Sequence, residues 1–167
     1  VKNDYEVRGN VIAIEITLAG GKPGETLIDV ADLPIAMKHP NRWWVNHRNY
    51  VKGSVQVNGR RQYVRLHRLI LGVEDGVLVD HINRNPLDNR RSNLRIASPS
   101  LNGLNRGIQR NNTSGYRGVK LHKPSGRWIA RIQIDGKFRY LGRFATPAEA
   151  SIAYEVAYSE RMDALTR

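Results

Sequence analysis

With 167 residues, no cysteine and a formal net charge of +12, the chain has room for one ordinary domain or two or three small modules. It has no route to disulfides, thiol chemistry or a cysteine-based zinc site, so any metal must be held by oxygen and nitrogen donors. Such a charge favours a polyanionic partner, although RNA-binding or ribosomal duty, or an anionic membrane, would give the same total.

No apolar run reaches the length of a membrane span, and the opening "VKNDYEVRGNVIAIEITLAGGK" does not read as a signal peptide. Residues 1–66 carry ten Lys and Arg against six Asp and Glu, a net of +4. Here "VIAIEITL" predicts a strand, and "TLIDVADLPIAM" a short strand followed by a helical turn with Asp29 or Asp32 as its cap. Asn58-Gly59 lies between two alternating runs, a strong hairpin signal. Across that turn Arg61, Tyr63 and Arg65 fall on one period and Val64 and Leu66 on the other. The result is a sheet of two or three strands with a basic outer edge.

In the centre, residues 67–110 carry a net of +3. "GVLVDH" begins as a strand, "INRNPLDNRRSN" is turn-like with Pro86 and four asparagines, and "LRIAS" is a second short strand. Ser98-Pro99 then reads as the N-cap and first residue of a short helix. Asn102 and Asn105 share one face of that helix; Leu101 and Leu104 share another and turn inward. "GIQRNNTSGYRG" follows as a linker, which places a domain boundary near Asn111.

Residues 111–143 concentrate the charge, with eight Lys and Arg against Asp135 alone. "YRGVKL", "RWIARIQI" and "KFRYLGRF" read as three strands, the last two joined by a tight turn at Asp135-Gly136. Trp128, Ala130, Ile132 and Ile134 share one face of the second strand, opposite Arg127, Ile129, Arg131 and Gln133. In the third, Phe138, Tyr140, Gly142 and Phe144 alternate with Lys137, Arg139, Leu141 and Arg143. The expectation is an aromatic and aliphatic face on one side and an arginine face on the other. Thr146, Pro147 and Glu149 form a capping box for a final helix. Its Ala150, Ala153, Tyr154 and Ala157 recur at helical spacing, suited to packing on the aromatic face. The arginine face is left open, either as a solvated surface or as a nucleic-acid groove, and the near absence of acid favours the groove.

The chemistry available in the centre begins with Asp80 and His81. Neighbours on a regular strand point to opposite faces, so the two serve one site only if the strand ends or bends there. Given the bend, Asp80 offers an anionic oxygen and Asn102 a neutral one, a pair suited to a magnesium-type ion that retains several waters. Asn105 competes with Asn102 for that place. His81 is the side chain able to take a proton from an attacking water near neutrality. Asn93 would fix the loop, and Arg84, Arg90, Arg91, Arg95 and Arg106 could hold phosphates. Asp88 reads as a turn-forming acceptor. An isolated Asp-His pair is often accidental; the strand–turn–strand–helix order around this one gives it weight.

The stretches "LHRLI", "VDHINRNPLDNRRSNLRIAS" and "NGLNR" resemble the HNH homing endonuclease family in its phage and intron-encoded branch. "SGYRGVKLHKPSGRWIARIQIDGKFRYLGRFATPAEASIAYEVAYSE" looks like an APETALA2-type DNA-binding domain. The resemblance implies a ββα-metal (His-Me finger) nuclease core with His81 as general base and Asn93 as the loop brace. Asn102, where many members have His, and Asp80 would hold Mg2+, with Mn2+ able to substitute. His67 would be a supporting residue. The three-stranded sheet would lie in the DNA major groove through Arg117, Arg127, Arg131, Arg139 and Arg143.

The reading is therefore an α+β protein with three parts. They are an N-terminal β-rich, DNA-contacting segment (1–66), a ββα-metal nuclease core (67–110), and a three-stranded antiparallel sheet packed on one helix (111–167). It is expected to be a metal-dependent, site-specific endonuclease acting on double-stranded DNA. Arg61, Arg65, Arg84, Arg95 and Arg106 are expected to add backbone contacts. One active site and no obvious dimer interface favour a monomer that nicks one strand, without a protein or membrane partner. The expected setting is the cytoplasm of a bacterial host, with the gene carried by a phage or mobile element. Two rivals remain: a catalytically inactive DNA-binding regulator, and an RNA-binding or ribosome-associated protein.

Overall fold

Ile12, Ile14 and Ile16 alternate along strand β2 (Val11–Thr17) and all three are buried, as a half-buried strand requires. The structure, a computed structural model, describes residues 2–38, 42–47 and 49–166, and the chain divides into two units, Val1–Ile96 and Ala97–Arg167.

In the first unit β2 lies between β1 (Tyr5–Arg8) and β3 (Pro23–Asp29) in an antiparallel meander. Helix α1 (Leu33–Met37) follows a 3-10 turn over Val30–Asp32. A second meander is built from β4 (Trp44–Val45), β5 (Val51–Val57) and β6 (Arg60–Arg65). Asn58 and Gly59 take φ of 50° and 75°, the left-handed pair of the predicted hairpin turn. Helix α2 (Leu66–Leu71) leaves β6 directly, and β7 (Val79–His81) pairs with β8 (Leu94–Ile96). Ile12, Ile28, Leu66, Ile70 and Leu94 belong to one buried cluster. Residues on both sides of position 66 therefore share a core. The acidic cap expected for α1 is absent: neither Asp29 nor Asp32 caps with its side chain. Both instead receive Arg91.

The second unit opens with α3 (Pro99–Leu104), capped as predicted by Ser98, whose Oγ accepts the Leu101 N–H at 3.1 Å. Leu104 joins Ile132, Tyr154 and Ala157 in a buried cluster, which ties α3 to the residues that follow it. Strands β9 (Val119–His122), β10 (Arg127–Ile134) and β11 (Lys137–Phe144) form an antiparallel sheet in the order β11-β10-β9. Helix α4 (Pro147–Thr166) packs on it through Ala150, Tyr154 and Ala157. The capping box is present: Glu149 N–H donates to Thr146 Oγ1 at 3.2 Å, and Glu149 Oε2 accepts the Thr146 N–H at 3.4 Å.

One face assignment is corrected. The register of β10 and β11 shifts between Ala130 and Arg131, so Ala130 faces Gly142 while Arg131 faces Tyr140. The bulge absorbs Leu141, which turns into the core, and Gly142 sits at φ 143°. Beyond it Phe138 and Tyr140 move to the outer face with Arg131 and Gln133, and both rings are 60% exposed. Arg139 moves the other way, opposite buried Ile132, and leaves the arginine face on which the alternation placed it.

Gly118 shows how tightly this unit closes. Its φ is +67°, and a Cβ there would lie 2.1 Å from the Tyr154 ring. Gly118→Ala combines left-handed strain with overpacking and is expected to cost about 2–4 kcal/mol, measured by chemical denaturation.

Candidate active site

β7 ends at His81, and the chain turns away there. Asp80 lies opposite Arg95 and His81 opposite Leu94. Asp80 and His81 are 7% and 5% exposed, so the two neighbours are both withdrawn from solvent at the strand's end. Arg95 donates from Nε and Nη2 to Asp80 Oδ2 at 2.9 and 2.7 Å. Its side chain is only 17% exposed, and where the sequence suggested a phosphate contact the structure pairs it with the Asp80 carboxylate.

The loop from 82 to 93 is organised by asparagine side chains that replace backbone partners. Asn93 bridges it, accepting the Asn83 N–H at 2.8 Å and donating to the Asp88 carbonyl at 2.7 Å. The Asn93 carbonyl accepts the Ile82 N–H at 2.8 Å. Asp88 closes the turn, taking Arg90 through Nε and Nη2 at 2.7 Å each and Asn83 Nδ2 at 2.9 Å. Hydrogen bonding from Arg90 holds the Asp88 carboxyl below its usual range. Its oxygens are thereby used as turn acceptors, as read from the sequence.

Strand β3 anchors the same loop, which the sequence did not reveal. Leu27 donates its N–H to the Leu87 carbonyl at 2.9 Å and accepts the Asn89 N–H at 2.8 Å. Asp29 Oδ2 accepts the Arg91 N–H at 2.8 Å, and Asp32 binds the Arg91 guanidinium at 2.7–3.0 Å. Arg91 is therefore a clamp across 59 residues of sequence.

Asn93 braces the loop, and the amide on the imidazole is that of Asn89, its Oδ1 3.2 Å from His81 Nε2. The His67 ring stands edge-on to His81 at 5.2 Å, and Tyr50 lies 5.4 Å from His67 and 6.0 Å from His81. Burial lowers the His81 pKa, only partly opposed by Asn89, Asp80 and Asp88, so the ring is neutral at pH 7 and can accept a proton. Burial, together with the charge of His81, Arg65 and Arg68, holds His67 down to about 3. Between its ordinary value near 6.5 and that value, unfolded His67 binds a proton that native His67 does not. Stability is thus intact above pH 6.5 and is lost as pH falls toward 3, by about 1.4 kcal/mol per unit from this residue. Thermal denaturation from pH 7 to 4 should show this slope, and His67→Phe should flatten part of it.

Asp80 is a single hard oxygen donor. Among the described residues no group of three or more His, Asp or Glu side chains is placed to hold a metal. A donor set of one carboxylate with amide and water oxygens suits a magnesium-type ion, and not a closed zinc site. Asn102 is half-buried on α3 in the second unit, and Asn105, at the end of that helix, is 7% exposed.

The remaining basic candidates separate. Arg61 and Arg65 are exposed on β6, flanking Tyr63, which is 62% exposed with Lys52 Nζ 5.5 Å from its ring centre. Arg84 is exposed at φ 64° just past His81, and Arg106 is exposed after α3. Arg127 and Arg143 are exposed on the outer face of the second sheet, and Arg131 stacks on Phe138 at 4.1 Å. Arg117 lies 4.4 Å over the Tyr158 ring, donates to the Leu104 carbonyl at 3.2 Å and pairs with Glu155 at 3.7 Å. At 16% exposure it braces α4. No helix among the described residues is long and apolar enough to cross a membrane.

A family profile described as HNH endonuclease matches residues 64–104. An uncharacterized HNH endonuclease of Acanthamoeba polyphaga mimivirus is 30% identical over 164 residues, 95% of this chain and 81% of that protein. Protein 3.8 of Escherichia phage T7 is 35% identical over 65 residues, 39% of this chain and 54% of the phage protein. An AP2-like ethylene-responsive transcription factor of Arabidopsis thaliana is 47% identical over 60 residues, 35% of this chain and 16% of the plant protein. The chain thus spans about half of the phage relative and a small part of the plant one. No solved structure matches.

Proposed function

Because the chain belongs to the HNH endonuclease family, we propose that it is a divalent-metal-dependent, homing-type DNA endonuclease with His81 as its general base. One observation carries this: a neutral, buried imidazole beside a buried carboxylate, at the end of a strand that pairs across an asparagine-braced loop. His81 takes a proton from a water; the resulting hydroxide attacks the scissile phosphorus, and the bond to the 3′ oxygen breaks. The products carry a 5′-phosphate and a 3′-hydroxyl. Asp80 and Asn102 are the protein ligands in this reading, for Mg2+ with Mn2+ as substitute. The ion, when bound, supplies Lewis acidity toward a nonbridging phosphate oxygen and the leaving oxygen. Asn93 keeps the loop closed, and Arg95 orients Asp80.

DNA is held by phosphate contacts from Arg61, Arg65, Arg84 and Arg106 and read by an APETALA2-type sheet through Arg127, Arg131 and Arg143. Much of the affinity then comes from the backbone and falls steeply with salt. One general base per chain favours nicking by a monomer. Exposed Phe138 and Tyr140 on a basic sheet also suit stacking on unpaired bases, which keeps an RNA-binding reading in view.

The test is cleavage of a random duplex library and of supercoiled plasmid, with Mg2+ or with EDTA, beside binding to duplex DNA and structured RNA at equal salt. Metal-dependent nicks and a duplex preference are expected. Duplex binding without cleavage of any site would leave an inactive DNA-binding protein, and preference for RNA would displace both.

A further inference from the structure

We infer that Asn89, held by Thr26 of β3, fixes the tautomer of His81 and is a positioning residue for its proton transfer; the catalytic part of this rests on His81 acting as the base. The hydrogen-bond chain starts at a backbone carbonyl. The Leu87 carbonyl can only accept, and Thr26 Oγ1 lies 2.7 Å from it, so the Thr26 hydroxyl proton is committed there. Thr26 Oγ1 is then the acceptor for Asn89 Nδ2 at 2.8 Å, and Nδ2 also donates to the Pro86 carbonyl at 3.3 Å. Only the amide nitrogen can serve two acceptors, so the amide cannot be turned end for end. Its oxygen therefore faces His81 Nε2 at 3.2 Å, and the proton between them belongs to the ring.

The neutral ring accordingly carries its hydrogen on Nε2 and its lone pair on Nδ1. Thr26 and Asn89 are 0% exposed, so no water competes with this chain of bonds. When Nδ1 takes the proton of a water, one O–H bond breaks and one N–H bond forms. The electron pair stays on the hydroxide, and Nε2–H remains donated to Asn89. A frozen ring orientation and tautomer are what a general base needs before substrate arrives.

The construction also explains a connection that a nuclease loop alone would not require. Thr26 and Asn89 are 63 residues apart, yet the loop reaches β3 through both side chain and backbone. The N-terminal sheet is thereby part of the apparatus that orients the base.

The test is 15N NMR of the histidine-labelled full chain at neutral pH, without metal or DNA, with the His81 signals assigned through His81→Ala. Wild type should show a protonated-type Nε2 and an unprotonated-type Nδ1. Asn89→Asp keeps an acceptor on Nε2 and should retain that pattern. Asn89→Leu removes it and should mix the tautomers, lowering the single-turnover cleavage rate roughly 10²-fold at unchanged DNA affinity. An Nδ1–H tautomer in wild type overturns the inference, whether or not either variant folds. So does Asn89→Leu with the parent's tautomer and rate. An Nε2–H pattern in a wild-type protein that cleaves no DNA overturns the nuclease reading and leaves the hydrogen-bond assignment standing.

Discussion

Replacing His81 by alanine is expected to slow DNA cleavage roughly 10²- to 10⁴-fold while leaving DNA affinity within about twofold. The size follows from removing the general base. Among the described residues His67 is the neighbouring imidazole, and it is held to a pKa of about 3, too weak a base to replace His81 near neutrality. The unchanged affinity follows from charge. His81 is neutral when native and 5% exposed, so it offers no cation to a phosphate, whereas Arg61, Arg65, Arg84 and Arg106 do. The loop should survive the substitution, because Asn93 closes it through Asn83 and Asp88 without using the imidazole for those bonds. Single-turnover cleavage and a binding titration on the same duplex separate the two quantities. Equal losses in both would point to a collapsed loop.

Asp80 should give the second largest effect, and two substitutions at this position should part company. Asp80→Asn retains an oxygen for Arg95 but loses the negative charge that would hold a cation. Cleavage at fixed Mg2+ is expected to fall on the order of 10²-fold. The fold should lose only about 1–2 kcal/mol, as an ion pair becomes a hydrogen bond from a charged guanidinium to a neutral amide. Asp80→Ala should be as inactive but also less stable, by about 2–4 kcal/mol, because it strands the charge of Arg95, whose side chain is only 17% exposed. Cleavage across a Mg2+ titration, with urea denaturation of both variants, measures these outcomes. If Asp80→Asn cleaved like the parent, the metal-ligand assignment would fall and Asp80 would remain only a partner for Arg95.

Local signals carried most of the secondary structure. The Asn58-Gly59 and Asp135-Gly136 turns, the Ser98 cap and the Thr146/Glu149 capping box all depend on residues within a few positions of one another, and each is present. The faces of β10 were legible for the same reason: Ala130 and Ile132 are buried and Arg127 is exposed. β11 misled because strict alternation has no place for an extra residue. Once the bulge turns Leu141 inward, Phe138 and Tyr140 surface, and Arg139 leaves the arginine face.

Long-range polar pairing was not legible. For Arg95 and Arg117, a guanidinium in a basic stretch gives no sign of the carboxylate or the tyrosine ring folded against it. Asn89 was one asparagine among several, and only Thr26, far away on β3, sets it apart. Asp29 and Asp32 suited a helix cap by position, yet Arg91 claims both. In each case the deciding partner lies where no periodicity or local spacing points.

The role of His81 as proton acceptor meets its most direct test in chemical rescue of His81→Gly. A small cavity at the end of β7 would admit free imidazole, which can take the proton in place of the missing side chain. Single-turnover cleavage of duplex DNA in Mg2+ should be nearly absent in the variant and should rise with added imidazole, following the neutral form as pH is varied. Parent-like cleavage by the variant without imidazole would contradict the assignment of His81 as the base.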